Sequence, residues 1–473
     1  MITFGTDGWR ARIADQFTFE NVARVATGVA HVSKKNHPTR NHIYISFDRR
    51  FLSEDFAKMV ASIFAFEGFQ VFLTNTYTPT PVLSFKAKQD PKAVGSVVIT
   101  ASHNPPSYNG FKFKEFHGCS ALKATTDAFE EVINTLTEVH VPCEKVFASY
   151  IEKRKIIRVN LMDDYKRTIL GLVDTQRIKN AQFSVAVDAM YGSGSHYFKE
   201  ILESLNVTVT EMHAEENPNF GGIAPEPVEK NLQDLAKLVK NGGFSCGFAT
   251  DGDGDRLGAI DSDGQSFTTQ MILSSVYWHM LANKGKKWNI ARSVSTTNMV
   301  DLIARKYGQE CIETPVGFKF IAQAMVDGQA QIGGEESGGV GIVDYIPERD
   351  GIFTALVLLE MMATEKKSLG QIYQMICEQV RPYQFVRLDL DLPQEKMQQT
   401  MQRLQQDSPS HWGNREVARR QNIDGFKYYM KDGSWLLIRP SGTEPVFRLY
   451  AEAEDQQACH ELLQTVRTFI ASC

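Results

Sequence analysis

One plan recurs three times along the chain, and it limits the fold more than any other feature. "HIYISFDRRFLSEDFAKMVASIFAFEGFQVFLTN" runs strand, polar loop, amphipathic helix, strand. In its helix Phe56, Met59, Val60, Ile63 and Phe64 recur with helical spacing and make one apolar stripe. "FSVAVDAMYGSGSHYFKEILESLNVTVTEM" repeats the plan with Phe198, Ile201, Leu202 and Leu205 on the stripe. "IARSVSTTNMVDLIARKYGQECIET" repeats it again with Val300, Ile303 and Tyr307. Helices that alternate with apolar strands imply sheets covered on both faces. The expectation is an α/β protein of three tandem similar α/β domains.

The last part of the chain differs. "FKYYMKDGSWLLIRPSGTEPVFRLYAEA" sets Asp432-Gly433 between two β-rich runs, a hairpin signal, and a helix follows in "QQACHELLQTVRTFIAS". A smaller C-terminal α+β domain is expected there. The polar stretch "QRLQQDSPSHWGNREVARR" reads as a surface excursion. With 473 residues there is room for about three or four domains. The extents read from the pattern are 1–152, 153–262, 263–378 and 379–473.

Charge and composition remove several classes of function. The chain carries 51 basic and 56 acidic residues, a net −5, and no dense basic run, so no nucleic-acid partner is expected. "MILSSVYWHM" is too short and too polar to span a bilayer, and no membrane partner is expected. The start, "MITFGTDGWRARIAD", lacks the basic and apolar regions of a signal peptide. Seven scattered cysteines without a C-x-x-C pair argue against a disulfide framework. A cytoplasmic location is the expectation.

Four loops carry the chemistry. "VGSVVIT" reads as a buried strand that ends in Ser102 and His103 and then breaks on Asn-Pro-Pro. A hydrolase nucleophile is one reading of that pair. Adjacent side chains at a strand end point in different directions, however, and the G-x-S-x-G elbow is absent. "CGFATDGDGDRLGAIDSDG" places Asp251, Asp253 and Asp255 in alternation with glycines after a buried strand. Three such carboxylates repel unless a cation neutralises them, and hard oxygen ligands suit Mg²⁺ or Ca²⁺. An EF-hand fails, because its sixth and twelfth positions hold Arg256 and Ser262. An acidic turn in solvent is less consistent with a loop that leaves a buried strand. Mg²⁺ usually takes phosphate oxygens as further ligands, so a phosphorylated group belongs here.

"GGEESGGVGI" surrounds Glu335, Glu336 and Ser337 with glycines, acceptors suited to vicinal hydroxyls of a sugar; a plain turn with exposed glutamates is equally consistent with the composition. "RPSGTEP" offers the Arg439 fork, the Ser441 and Thr443 hydroxyls and the Gly442 backbone, a set of donors for a phosphate dianion. "FGTDGWR" presents Arg10, which alone means little. Gly192 and Gly194 follow a strand, but Tyr197 stands where a dinucleotide fingerprint needs its third glycine.

"TASHNP", "DGDGDR", "GEESGG" and "RPSGTEP", in that order and one per domain, resemble the α-D-phosphohexomutase superfamily, particularly its phosphoglucomutase/phosphomannomutase branch. "FGTDGWR" is similar to its N-terminal signature. The resemblance spans essentially the whole chain. It implies mixed sheets between helices, domains around a central cleft, and a phosphoryl carrier at Ser102 whose phosphate completes an Mg²⁺ site with Asp251, Asp253 and Asp255. It further implies that Lys112 acts as general base or charge stabiliser, that Arg10 and Arg256 lie at the reacting phosphate, and that His103 orients groups beside it. Glu335 and Ser337 would grip the sugar's 3- and 4-hydroxyls, and Arg439, Ser441, Gly442 and Thr443 the non-reacting phosphate.

The implied reaction interconverts hexose 1-phosphate and 6-phosphate through a hexose 1,6-bisphosphate, with a sugar phosphate as partner and a monomer or weak dimer as assembly. Some dual-specificity members have "GEMSGH" where this chain has Glu336 and Gly339, and a histidine where "TPVGFKF" has Phe318 and then Lys319, a further substrate-binding candidate. Glucose is the first substrate expected, mannose next. Phosphoglucosamine is the alternative, since "FGTDGWR" also resembles phosphoglucosamine mutases. An inactive sugar-phosphate sensor is the alternative from another class.

Overall fold

The computed structural model describes residues 1–440 and 446–473, and its first three sheets share one topology. In the first, strands Ala93–Ile99, His42–Phe47 and Gln70–Thr74 run parallel, Tyr108–Glu115 adds antiparallel beside Ala93–Ile99, and Trp9–Arg12 adds antiparallel beside Tyr108–Glu115. In the second, Cys246–Thr250, Ser184–Asp188 and Thr208–Met212 are parallel, with Leu257–Asp261 and Ser266–Phe267 antiparallel beside them. In the third, Ile332–Gly334, Ile290–Ser293 and Cys311–Thr314 are parallel, and Val340–Ile342 and Ile346–Arg349 extend the sheet antiparallel.

The shared plan has a functional consequence. In every copy the parallel strand that borders the antiparallel ones turns straight back into its antiparallel neighbour, and that connection holds a chemical loop. It carries Ser102 in the first sheet, Asp251 to Arg256 in the second, and Glu335 to Gly339 in the third.

The physics of the parallel core follows the sequence. Every residue of Ala93–Ile99 and of Cys246–Thr250 is buried, as expected of strands covered on both faces. The stripes Phe56, Met59, Val60, Ile63, Phe64 and Phe198, Ile201, Leu202, Leu205 are all buried. Val300 and Ile303 are buried too, whereas Tyr307 lies half-buried at the end of its helix. Helices Thr269–Ala282 and Gly351–Glu365 are buried nearly all round, because they pack on each other and on elements of the second domain. The first sheet also takes Ile156–Val159, so it reaches past residue 152.

The fourth domain is an antiparallel sheet in the order Gln384–Asp391, Val446–Ala453, Trp435–Pro440, Phe426–Met430, Arg415–Gln421, His411–Trp412. The hairpin at Asp432-Gly433 is present, with Gly433 in the left-handed region at φ +87°. The stretch expected to be a surface excursion is ordered structure instead. It contains the end of helix Gln394–Gln406 and two edge strands, anchored by buried Leu404 and Trp412. An antiparallel edge strand faces water on much of its surface, so a polar sequence does not exclude it. One face of this sheet packs on helices Gln394–Gln406 and Gln456–Ala471. The other, through Trp435, Leu437 and Tyr450, packs on Val294 of the third domain.

Candidate active site

The serine loop is held in a conformation that an ordinary residue avoids. Ser102 has φ +53°, in the left-handed region where a side chain other than glycine's is disfavoured. Its surroundings enforce it. The Ser102 N–H donates to Thr100 Oγ1 at 2.9 Å, and Arg50 Nη2 donates to the carbonyls of Ser102 and Asn104, each at 2.7 Å. Arg50 also reaches the carbonyls of Pro105 and Tyr108, and it is held by buried Asp48, which Thr100 and Ser53 bond as well. This backbone corrects the expectation that Ser102 and His103 diverge. The left-handed residue turns them together, and Ser102 Oγ lies 3.4 Å from His103 Nδ1. Burial, then the cations Arg256, Arg10, Lys112 and Arg349, hold the His103 pKa well below the ordinary histidine value.

The aspartates meet the serine. Ser102 Oγ donates to Asp251 Oδ2 at 2.7 Å. Asp251, Asp253 and Asp255 are fully buried, and one carboxylate oxygen from each lies within 4.8 Å of the others. The approach demands glycine at 252, where a Cβ would sit 2.4 Å from the Ser102 carbonyl oxygen. Asp251 Oδ1 takes the N–H groups of Asp255 and Arg256 at 3.1 and 3.2 Å. Burial, then the charges of Asp255 and Asp253, push the Asp251 carboxyl well above the usual range.

Lys112 Nζ stands among three carboxylates, 2.8 Å from Asp7, 2.7 Å from Asp253 and 3.2 Å from Asp255. Burial opposes its charge, but Asp253, Asp255 and Asp7 outweigh it and raise its pKa above the ordinary lysine value. Among the described residues, Asp253 Oδ1 and Asp255 Oδ1 are buried without a hydrogen-bond partner. Arg256 Nε lies 3.9 Å from Asp255 Oδ1, too far for a hydrogen bond. Buried carboxylate oxygens with spare lone pairs and mutual repulsion fit a hard divalent cation, so these residues suit Mg²⁺.

Arg10 donates to Asn104 Oδ1 at 2.8 Å, within the serine loop, and burial presses its pKa down. Arg256 Nη1 lies 3.5 Å from Glu226. The sugar loop is drawn to the same place: Ser337 Oγ donates to Glu335 Oε1 at 2.7 Å, and Arg349 Nη1 reaches that oxygen at 3.2 Å. Arg349, which the sequence reading missed, ties the site together. Its Nη2 lies 2.8 Å from Asp7 and 2.9 Å from Asp255, and its Nε 3.2 Å from Glu348. Asp7 was missed as well, although it sits inside "FGTDGWR" two residues before Trp9. A buried second ring formed by Lys114, Ser120 and Glu348 also meets Asp7.

Not every candidate joins this cluster. Phe318 is buried beneath the Arg349 guanidinium, 5.0 Å from it, and presents no polar group. Among the described residues Lys319 makes no hydrogen bond or ion pair with another candidate; its charged neighbours are Lys123, Asp127 and Glu130 of the first domain. Arg439 Nε pairs with Asp424 Oδ1 at 2.9 Å, and Asp424 Oδ2 accepts the Val316 N–H at 3.0 Å, which sets Arg439 beside the third domain. Ser441, Gly442 and Thr443 lie outside the described residues.

The match to known proteins covers the same ground. Family models described as phosphoglucomutase/phosphomannomutase match in four parts: α/β/α domain I over 1–140, domain II over 163–264, domain III over 269–380 and the C-terminal domain over 391–468. A phosphoglucomutase/phosphomannomutase of Thermococcus kodakarensis is 29% identical over 467 residues, covering 98% of this chain and 96% of the relative. A phosphoglucosamine mutase of Methanocaldococcus jannaschii is 31% identical over 395 residues, 83% of each chain. A Thermus thermophilus crystal structure described as a phosphomannomutase superposes with a TM-score of 0.86 at 28% identity, covering 99% of both chains.

Proposed function

The chain belongs to the phosphoglucomutase/phosphomannomutase family of α-D-phosphohexomutases, enzymes that move phosphate within a sugar, and we propose that it interconverts glucose 1-phosphate and glucose 6-phosphate, with mannose phosphates as second substrates. The single observation that carries the reading is the 2.7 Å contact between Ser102 Oγ and Asp251 at the edge of the aspartate cluster. A phosphoryl group on that oxygen would enter a pocket of Arg10, Arg256 and Lys112 charge.

In this scheme phospho-Ser102 is attacked by a free hexose hydroxyl. The serine P–O bond breaks as the sugar P–O bond forms, and the proton of the attacking hydroxyl ends on the freed Ser102 oxygen. The bound hexose 1,6-bisphosphate turns over end for end and returns its other phosphoryl to Ser102. Phosphoryl transfer asks mainly for positioning and charge stabilisation. Lys112, enclosed by carboxylates, supplies charge, and neutral His103 orients the serine oxygen. Asp251, Asp253 and Asp255 would hold Mg²⁺, which when bound neutralises charge on phosphate oxygens. Glu335 and Ser337 hold the sugar in both orientations, and Arg439 with Ser441, Gly442 and Thr443 the phosphate that is not reacting.

A second reading, phosphoglucosamine mutase, is favoured by the name of the Methanocaldococcus relative. A coupled assay with glucose, mannose and glucosamine 1-phosphates separates the two, and turnover of glucosamine phosphate alone would replace the first. Intact mass checks the carrier: partial occupancy by one phosphoryl group is expected in wild type and none in Ser102→Ala. Turnover retained by Ser102→Ala would refute the scheme.

A further inference from the structure

Glu336 stands between Glu335 and Ser337, which bond each other, yet it turns to the fourth domain. Its Oε1 accepts from the Tyr450 hydroxyl at 2.9 Å, and Arg387 Nη1 lies 3.8 Å away. Tyr450 and Arg387 are directly opposite one another in the register of Val446–Ala453 and Gln384–Asp391, so two neighbouring strands clamp one carboxylate. Both partners are fixed. Tyr450 is fully buried against Val294, Trp435 and Leu437, and Arg387 is gripped by both oxygens of Asp389 at 2.8 and 2.7 Å. Thr269 Oγ1 donates to the Glu336 carbonyl at 2.8 Å and pins the loop backbone. In sequence, Val446–Ala453 begins three residues after Thr443, the last of the phosphate-loop candidates Ser441, Gly442 and Thr443.

Two other carboxylates that join the third and fourth domains are saturated. Glu313 takes Arg292, Lys427 and Tyr429, and Glu452 takes Thr297, the Asn298 N–H and Trp435 Nε1. Among the described residues Glu336 has one side-chain donor, Tyr450, and a cation, Arg387, beyond hydrogen-bond distance. Its Oε2 is buried without a partner among the described residues, and Glu336 lines a cavity of about 350 Å³ together with Gln270, Thr297, Tyr383 and Glu452. Burial pushes its carboxyl up to about 7; Arg387, Tyr450 and Arg448 oppose that and Glu335 adds to it. A buried carboxylate so thinly satisfied is held weakly, the property required of a contact that opens and closes.

We propose that Glu336, Tyr450 and Arg387 form a releasable catch between the sugar loop and the phosphate-loop strand: engaged, it holds the sugar grip to that strand, and released, it lets the loop part from it while Glu313 and Glu452 keep the rest of the interface. Glu336 is then a positioning residue for the reaction, and the inference rests on the reading of the two loops given above. Removing the catch weakens the hold on a substrate that needs both loops at once and leaves the transfer step alone.

The test uses the full chain with Mg²⁺ and compares Glu336→Ala, Glu336→Gln, the near-isosteric Tyr450→Phe and the double variant Glu336→Ala/Tyr450→Phe. Glu336→Ala and Tyr450→Phe are expected to raise KM for hexose 1-phosphate about fivefold, with kcat held within about twofold. The double variant is expected to be no worse than the poorer single one. Glu336→Gln, which keeps an acceptor for Tyr450, should fall between wild type and Glu336→Ala. Amide hydrogen exchange over 446–450 should quicken in Tyr450→Phe, with 93–99 unchanged. Unaltered KM and exchange, or effects of the two residues that multiply, would overturn the catch. Should wild type turn over no hexose phosphate, the functional reading fails while the exchange comparison still decides the catch.

Discussion

Two buried acidic regions of this protein look alike in composition and behave oppositely. Glu313, between the third and fourth domains, accepts from Arg292 at 2.7 Å, Lys427 at 2.9 Å and Tyr429 at 2.7 Å. Burial opposes its charge, but Arg292 and Lys427 prevail, and its pKa falls below the ordinary glutamate value. The aspartate cluster is the reverse: two oxygens lack partners among the described residues, and Asp251 is driven up by burial and by its own neighbours. Saturated acids fix an interface. Unsaturated ones, kept together by a rigid loop, are poised for a ligand.

The comparison breaks most readily at Asp251. Asp251→Asn should cut kcat/KM about a thousandfold or more, while metal-free thermal stability stays level or rises because a repelling charge is gone. Coupled turnover and calorimetry check both, and a strongly destabilised but active variant would reverse the assignment of the two regions. Glu313→Gln should do the opposite, costing about 3 kcal/mol of stability as the buried Lys427 charge loses its carboxylate partner and Arg292 keeps only Asp301, with kcat largely kept. Denaturant unfolding reads it.

A smaller effect concerns the metal. Mg²⁺ at a hundred times its Kd should stabilise wild type by about 2.7 kcal/mol and Asp251→Asn by much less. Equal thermal shifts in the two proteins would place the ion elsewhere.

The smallest effect is in pH. Asp251 has a raised folded-state pKa, so its protonated form favours folding, and its contribution is lost as pH rises above about 4 toward the folded value. Metal-free wild type should therefore gain on the order of 1 kcal/mol relative to Asp251→Asn as pH falls from neutrality. Glu313 has a lowered pKa, so its contribution is present above about pH 4.3 and is lost only as pH falls below that. Unfolding of wild type and the two variants across this range tests both signs.

Much of this was readable beforehand, and the gaps have physical causes. The stripes at Phe56 and Phe198 are periodic, and the three loops follow apolar strands, so local pattern reveals them. The edge strand Arg415–Gln421 hid because an edge needs few apolar residues. Arg349 hid because its partners Asp7, Asp255 and Glu335 come from three domains, and no spacing within one segment signals that. The direction of Glu336 hid because neighbouring loop residues can face different domains. Ser102 and His103 were misjudged because strand geometry was extended past Ile99, where the strand ends, to a backbone at φ +53° three residues on.

That backbone sets what can move. With its carbonyl pinned by Arg50 and its N–H by Thr100, Ser102 resembles a crane bolted to its footing: the jib turns about side-chain bonds, and the base stays put. An anchored carrier cannot travel to the far end of a hexose. The cargo has to pivot instead, and the room for that pivot must come from the walls around it.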